Sequence, residues 1–339
     1  MKSILITGGA GFIGSNFVEY FLQNNEDFFV VNLDLLTYAG NLANLSEVFE
    51  DKNLAKRHEF IKGDICNDEL LAYIFTKFDI KGVIHFAAES HVDNSIANPA
   101  IFTRTNALGT QSLLEAAKRA WLDAPHKAKK GFEECRFHHI STDEVYGSLG
   151  ASGLFSETSP YAPNSPYSAS KAASDMLVRA YHETFGLNTI ITNCSNNYGE
   201  KQHSEKLIPT IIRSCLKEEQ IPIYGDGLNV RDWLYVKDHC LGIELAFFKG
   251  KNGENYNIGG RNERTNMQIA TSICEILDGL KPRKNGKYAD LISFVKDRAG
   301  HDRRYAIDAS KIENELGYKA QESFQSGIVK TIEWYLQRI

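Results

Sequence analysis

Residues Ile4–Gly14 read ILITGGAGFIG, an apolar run that breaks into a glycine turn, with Gly8, Gly11 and Gly14 spaced three apart and Phe12 and Ile13 opening a helical pattern. This order of strand, tight turn and helix suits a dinucleotide pyrophosphate. Glycine leaves room for the phosphates beside the backbone, and unpaired N–H groups at the helix N-terminus meet their charge. A glycine turn can also be purely structural, so its setting decides. Here it sits between a strand and a helix, and Asp34 follows the second strand 20 residues after Gly14. A carboxylate there accepts hydrogen bonds from a ribose and repels a 2′-phosphate, which favours NAD over NADP.

Working outward, short runs rich in β-branched and apolar residues recur at Ile4–Thr7, Phe28–Leu33, Glu59–Lys62, Gly82–Phe86, Phe137–Ser141 and Thr189–Asn193. Helical periodicity lies between them, clearest at Ile13–Gln23, Asn106–Ala120 and Ser168–Phe185. Alternating strands and helices predict an α/β fold, a doubly wound parallel (Rossmann) sheet with a smaller C-terminal α/β lobe. Residues 1–195 are expected to form the NAD-binding domain, with a return segment at about 235–260 that includes the helical pattern Val236–Phe248. Residues 196–234 and 261–339 are expected to form the substrate lobe, with helices at Ile208–Leu216, Ser310–Leu316 and Gly327–Leu336. Tyr224–Asn229, Tyr256–Gly260 and Lys281–Gly286 read as turns, and Lys127–Lys130 as a solvated loop.

The 339 residues carry 38 basic and 43 acidic side chains, a formal net charge of −5 that argues against a general nucleic-acid surface. Apolar stretches are strand-sized, well short of the roughly 20 residues of a membrane span. Met1 runs directly into a strand with no secretory leader pattern, so a cytoplasmic protein is expected. Six dispersed cysteines without a CxxC pair predict reduced, buried thiols, and the histidines show no metal-ligand spacing.

Asp64 and Ile65, and the run Phe86, Ala87, Ala88, Glu89, Ser90, fall at strand ends where this architecture binds ligands. Ala87 and Ala88 could equally serve tight packing. Tyr167 and Lys171 stand four apart on one helical face, so the ammonium is expected to lower the phenol pKa and fit Tyr167 to take a proton from an alcohol. Taken alone that spacing is common. Ser141, Thr142, Asp143 and Glu144 end the fifth strand 25 residues before Tyr167, measured from Thr142, and add two carboxylates beside it.

GxxGxxG, the strand-end STDEVYG and YSASK together resemble the extended short-chain dehydrogenase/reductase family. HFAAESHVD, PYSASKAASD, EKLIP, GDGLNVRDWLYVKDHC, YNIGG and DRAGHDRRYAID narrow the resemblance to its sugar-nucleotide 4,6-dehydratases. The resemblance implies an NAD-dependent lyase in which Thr142 orients the substrate and Tyr167, paired with Lys171, removes the 4-hydroxyl proton. It further implies that Glu144 takes the C5 proton and a protonated Asp143 releases the 6-hydroxyl, with dTDP-glucose as substrate. Thr105 and Asn197 would touch or organise the cofactor. Ser90, Thr142, Asn196, Lys206, Leu207, Pro222, Tyr224, Arg231, Asn266, Asp297, Arg298 and His301 would line the nucleotide-sugar site, and the protein would be a homodimer. UDP-glucose as substrate, a UDP-sugar 4-epimerase or decarboxylase, and a non-catalytic NAD-binding protein are the alternatives. Asn94 and Ala299 depart from the family pattern at positions where a basic residue and a proline are usual.

Overall fold

The computed structural model describes residues 1–338. Its main sheet contains β1 (Lys2–Thr7), β2 (Phe28–Asp34), β3 (His58–Lys62), β4 (Ile80–His85), β5 (Arg136–Thr142), β6 (Thr189–Cys194) and β7 (Asn255–Ile258). They pair in parallel in the order β7-β6-β5-β4-β1-β2-β3. The first six lie within two residues of the sequence-derived limits.

The seventh strand corrects the reading of Tyr256–Gly260 as a turn. An asparagine-rich run reads as polar loop, but Asn257 is fully buried. Its amide is satisfied inside: Oδ1 accepts from the Tyr146 hydroxyl at 3.0 Å, and Nδ2 donates to the Phe155 carbonyl at 3.2 Å. The loop expected at Lys127–Lys130 is also partly ordered, as Leu122–Ala124 pairs antiparallel with Lys127–Ala128.

The helices are α1 (Phe12–Asn24), α2 (Asp68–Lys77), α3 (Gly109–Trp121), α4 (Pro166–Phe185), α5 (Leu207–Lys217), α6 (Val236–Lys249), α7 (Asn266–Leu280), α8 (Ser310–Leu316) and α9 (Phe324–Leu336), with shorter turns between. One sheet face is covered by α1, α6 and α8 through Phe17, Phe21, Ile243, Phe247 and Ile312. The other is covered by α2, α3 and α4 through Ile74, Leu113, Trp121 and Val178. Helix α8, read from sequence as part of the second lobe, therefore packs on the sheet. A separate core of Tyr198, Ile211, Cys215, Trp233, Ile273 and Phe324 joins α5, α7 and α9. Beside it, Val230–Tyr235 pairs with Asn196–Tyr198 and Glu263–Thr265, and Ile221–Tyr224 pairs with Ile292–Val295.

Strand order reverses between β1 and β4, so their following loops diverge to opposite faces and leave a crevice at the carboxyl edge. All six cysteines are free; five are buried and Cys66 is partly exposed, a departure from the expectation that all are buried. No helix among the described residues is long and apolar enough to cross a membrane.

Trp121 ties α3 to the sheet: it is 1% exposed and its indole N–H donates to the Ile80 carbonyl at 2.7 Å. Trp121→Ala leaves a cavity and an unpaired carbonyl, so urea unfolding should show a loss of about 3–5 kcal/mol.

Candidate active site

Gly8 ends β1 with φ +74°, and a Cβ there would lie 2.6 Å from the Ala87 amide nitrogen. A Cβ on Gly14 would lie 2.2 Å from the Gly8 carbonyl oxygen. Both positions exclude larger residues, and together they bring α1 and the end of β4 close to the turn. Gly11 is the N-cap of α1 and no side chain caps that end, leaving first-turn N–H groups for an anion. Asp34 stands at the end of β2, its two oxygens accepting from the Ala10 N–H at 2.9 Å and the Leu36 N–H at 2.8 Å. Each oxygen retains a lone pair for a ribose hydroxyl. The donors, the glycine cradle and this carboxylate fit a dinucleotide.

A single cleft of about 1690 Å³, counted with its open mouth, extends from this turn along the carboxyl edge. Gly8, Gly11, Phe12, Ile13, Gly14, Asp34, Asp64, Ile65, Phe86, Ala87, Ala88, Ser90, Thr105 and Asn197 line it on the expected cofactor side. Thr142, Asp143, Glu144, Tyr167, Lys171, Asn196 and Lys206 line it further along.

Tyr167 and Lys171 are placed by α4, whose start is fixed by Pro166 in the first turn and by a reciprocal cap between Ser165 and Ser168. Tyr167 is 9% exposed and Lys171 4%. Lys171 Nζ donates to the Ile140 carbonyl at 2.8 Å. Burial pushes Lys171 down to about 8, with Asp175 opposing. The expected lowering of the Tyr167 phenol is reversed in this structure. Burial raises it well above its ordinary value, Glu144, Cys194 and Asp143 add to the rise, and only the Thr142 hydroxyl pulls the other way. The sequence showed the nearby lysine but neither the depth of burial nor the carboxylates facing the ring.

Opposite lies the strand-end segment. Asp143 is 1% exposed, and burial, then Glu144 and Asp232, raise its carboxyl well above the usual range. Among the described residues its Oδ2 has no partner and its Oδ1 only a long contact with the Thr142 hydroxyl at 3.4 Å. Burial also raises Glu144, but Arg298, Arg231 and Lys206 oppose the rise. Two adjacent carboxyls are thus driven apart in character, one held as an acid and the other beside three cations.

Those cations come from the second lobe and its edge. Lys206 Nζ donates to the Ser90 carbonyl at 3.0 Å, Arg231 stacks 4.2 Å from the Tyr305 ring centre, and Arg298 lies 4.0 Å from Asp93. Tyr224, 6.3 Å from the His301 ring, and His301, 2.6 Å from Asp297, continue this group. Leu207 opens α5, Pro222 is exposed on its strand, and Asn266 is buried at the start of α7. None of Leu207, Pro222, Tyr224, Arg231, Asn266, Asp297, Arg298 and His301 is in the lining of the main cleft.

Sequence reasoning missed Thr37–Gly40, Arg104, Cys194, Gln202, His203 and Glu205 as lining residues. The signal for the first was the small-residue run after Asp34 at the same sheet edge. Arg104 pairs with Asp64 at 2.7 Å across 40 positions, beyond any local pattern. The helix expected from Asn106 opens instead as a π-helical segment, Thr103–Leu108, leading into α3. This segment places Asn106, whose amide bonds both backbone groups of Glu89 and the Ser170 hydroxyl, joining the end of β4 to α4.

Residues 5–331 match the family model described as GDP-mannose 4,6 dehydratase. The dTDP-glucose 4,6-dehydratase of Neisseria gonorrhoeae is 51% identical, the match covering 99% of this chain and 96% of that one. The dTDP-glucose 4,6-dehydratase 1 of Escherichia coli K12 is 52% identical over 98% of this chain and 92% of its own. Among solved structures, DesIV, a dTDP-glucose 4,6-dehydratase from Streptomyces venezuelae with NAD bound, superposes with TM-score 0.88 at 47% identity, covering 99% of this chain and 97% of DesIV. A UDP-glucose 4-epimerase from Thermotoga maritima superposes almost as well, with TM-score 0.85, but at 28% identity over 99% of both chains. The backbone is thus common to both chemistries, while sequence identity separates them, and the chain belongs to the dTDP-glucose 4,6-dehydratases within the wider sugar-nucleotide dehydratase family.

Proposed function

We propose that this chain binds NAD in the glycine crevice and acts as a hydro-lyase, converting dTDP-glucose to dTDP-4-keto-6-deoxyglucose and water. The observation that carries this reading is the pair Asp143 and Glu144 in one cleft with Tyr167 and Lys171. Oxidation at C4 needs one base; elimination across C5 and C6 needs a second base and an acid. A 4-epimerase has no use for an acid at the 6-hydroxyl.

Bound NAD supplies a hydride acceptor for C4 and, later in the same turnover, a hydride donor for C6. Thr142 holds the 4-hydroxyl toward Tyr167, which takes its proton, and the Lys171 ammonium on the same helical face offsets the phenolate charge. With a carbonyl at C4, the C5 hydrogen becomes acidic and Glu144 removes it. Asp143, kept protonated by burial and by Glu144, gives its proton to the departing 6-hydroxyl, which leaves as water, and as C6 regains a hydride the proton held by Glu144 returns to C5. Arg231, Arg298 and Lys206 supply positive charge for the diphosphate.

In this reading residues 1–195, with the return at 235–260, hold the cofactor, and 196–234 with 261–339 hold the nucleotide sugar. Exposed Leu108 (54%), Met176 (49%) and Ile96 (44%) lie on or beside α3 and α4, and support a homodimer formed through these helices. Six unpaired cysteines suit the reducing cytoplasm.

Purified protein given dTDP-glucose without added cofactor should yield a product lighter by one water with a 4-keto chromophore in alkali, and faster than UDP-glucose does. An isomer of unchanged mass would mean an epimerase. Tyr167→Phe should slow C4 oxidation, and Asp143→Asn the loss of water, each by roughly 100- to 10,000-fold. Rapid-quench mass spectrometry should find the 4-keto hexose accumulating with its 6-hydroxyl intact only in Asp143→Asn.

A further inference from the structure

Beneath the cleft floor lies a buried polar array that the steps above do not use. Asp175 is one helical turn beyond Lys171 on α4 and, like His139 on β5, has no exposed surface. Asp175 Oδ2 accepts from the Ser141 hydroxyl at 2.8 Å, the Tyr161 hydroxyl at 2.9 Å and Asn193 Nδ2 at 3.4 Å. Its Oδ1 has no hydrogen-bonded donor beyond a 3.3 Å approach to His139 Nε2. That same ring nitrogen lies 3.2 Å from Lys171 Nζ.

One nitrogen cannot both accept from Lys171 and donate to Asp175. Burial, reinforced by Lys171, holds His139 neutral, so its ring carries one proton. His139 Nδ1 has no partner among the described residues, and a proton there would be an unsatisfied buried donor, leaving Asp175 Oδ1 bare. A proton on Nε2 satisfies Oδ1 and removes the imidazole lone pair from Lys171. The ammonium is then left with the Ile140 carbonyl behind it and the cleft in front.

We infer that Asp175 is a positioning residue for Lys171: through the His139 Nε2–H it withholds the imidazole as an acceptor, and its carboxylate is the buried countercharge that keeps Lys171 protonated and directed into the cleft beside Tyr167. The inference deepens the reading above, because it gives the oxidation step its cation. The charged and titratable groups facing the array are Lys171 from α4, His139 from β5, His85 from β4 with its ring 5.2 Å from His139, Cys194 from β6, and Tyr161 and Tyr146 from the segment that follows β5. Asp175 is the carboxylate that holds the Lys171 ammonium up against its burial, and Lys171 in turn holds down an Asp175 that burial pushes up to about 6.

The sign follows. Removing the Asp175 charge disfavours the Lys171 ammonium, so its titration moves to lower pH. In protein carrying ¹³Cε-labelled lysine, with the Lys171 signal assigned by its loss in Lys171→Met, Asp175→Asn should lower the Lys171 midpoint by about one pH unit. The basic limb of the kcat profile should move down with it, while KM stays within about twofold. The rate losses of Asp175→Asn and Lys171→Met should be non-additive, the double variant losing little more than Lys171→Met alone. An unchanged midpoint, or fully additive losses, overturns the inference. Should Asp175→Asn fail to fold, Tyr161→Phe removes one donor from the carboxylate and should raise the acidic limb; an unchanged limb overturns it equally. The lysine titration needs no turnover, so it stands or falls apart from the product assay that decides the dehydratase reading.

Discussion

The end of β1 is held on both sides: the Gly8 N–H donates to the Leu33 carbonyl on β2 at 2.8 Å, and the Phe86 N–H next to β4 donates to the Thr7 carbonyl at 3.0 Å. Just past that point the two neighbouring loops part, and Gly8 must pass within contact of the Ala87 backbone before the chain turns into α1. This close passage fixes the floor of the crevice. A side chain at Gly8 would push β4 away from β1 and with it the segment from Phe86 to Ser90, which forms one wall of the cleft. Asn106 and the Ser170 hydroxyl then carry the same constraint across to α4, so the placement of Tyr167 depends on backbone packing between β1 and β4.

On this frame the cleft gathers groups that would each be unstable alone. Asp143, Tyr167 and Lys171 are all withdrawn from water, and burial pushes each toward its neutral form. The second lobe answers with cations: Arg231 is held by the Val230 and Asp302 carbonyls, and Arg298 and Lys206 lie at the edge where the lobes meet. Their positive field acts on Glu144 more than on the deeper Asp143, on which burial and the neighbouring carboxylates outweigh Arg231. The difference in depth between adjacent residues gives two carboxyls of one chemical type two different electrostatic settings.

The central sheet was readable because its strands are apolar on both faces, and a parallel sheet covered by helices demands that. β7 was not, because Asn255, Tyr256 and Asn257 look like turn residues until the buried partners of Asn257 are known. The cofactor turn and the Tyr167–Lys171 pair were visible as local spacings, and the structure brings them into one cleft. The raised Tyr167 phenol was not visible, since desolvation is a property of the folded surroundings. Nor were Arg104, paired with Asp64, or Asp175 and His139, whose partners are assembled from α4, β5, β6 and the loop carrying Tyr161. Contacts made between distant segments leave no period in the chain.

The late arrival of β7 bears on how the molecule comes into being during synthesis. β6 ends at Cys194, yet the strand that pairs with its outer edge begins only at Asn255, after α5 and several strands of the second lobe. A nascent chain that has emerged only this far carries six parallel strands, with the edge of β6 that β7 will cover still unpaired. The main sheet therefore cannot be completed on the ribosome before much of the second lobe has been made, and the two mature as one unit.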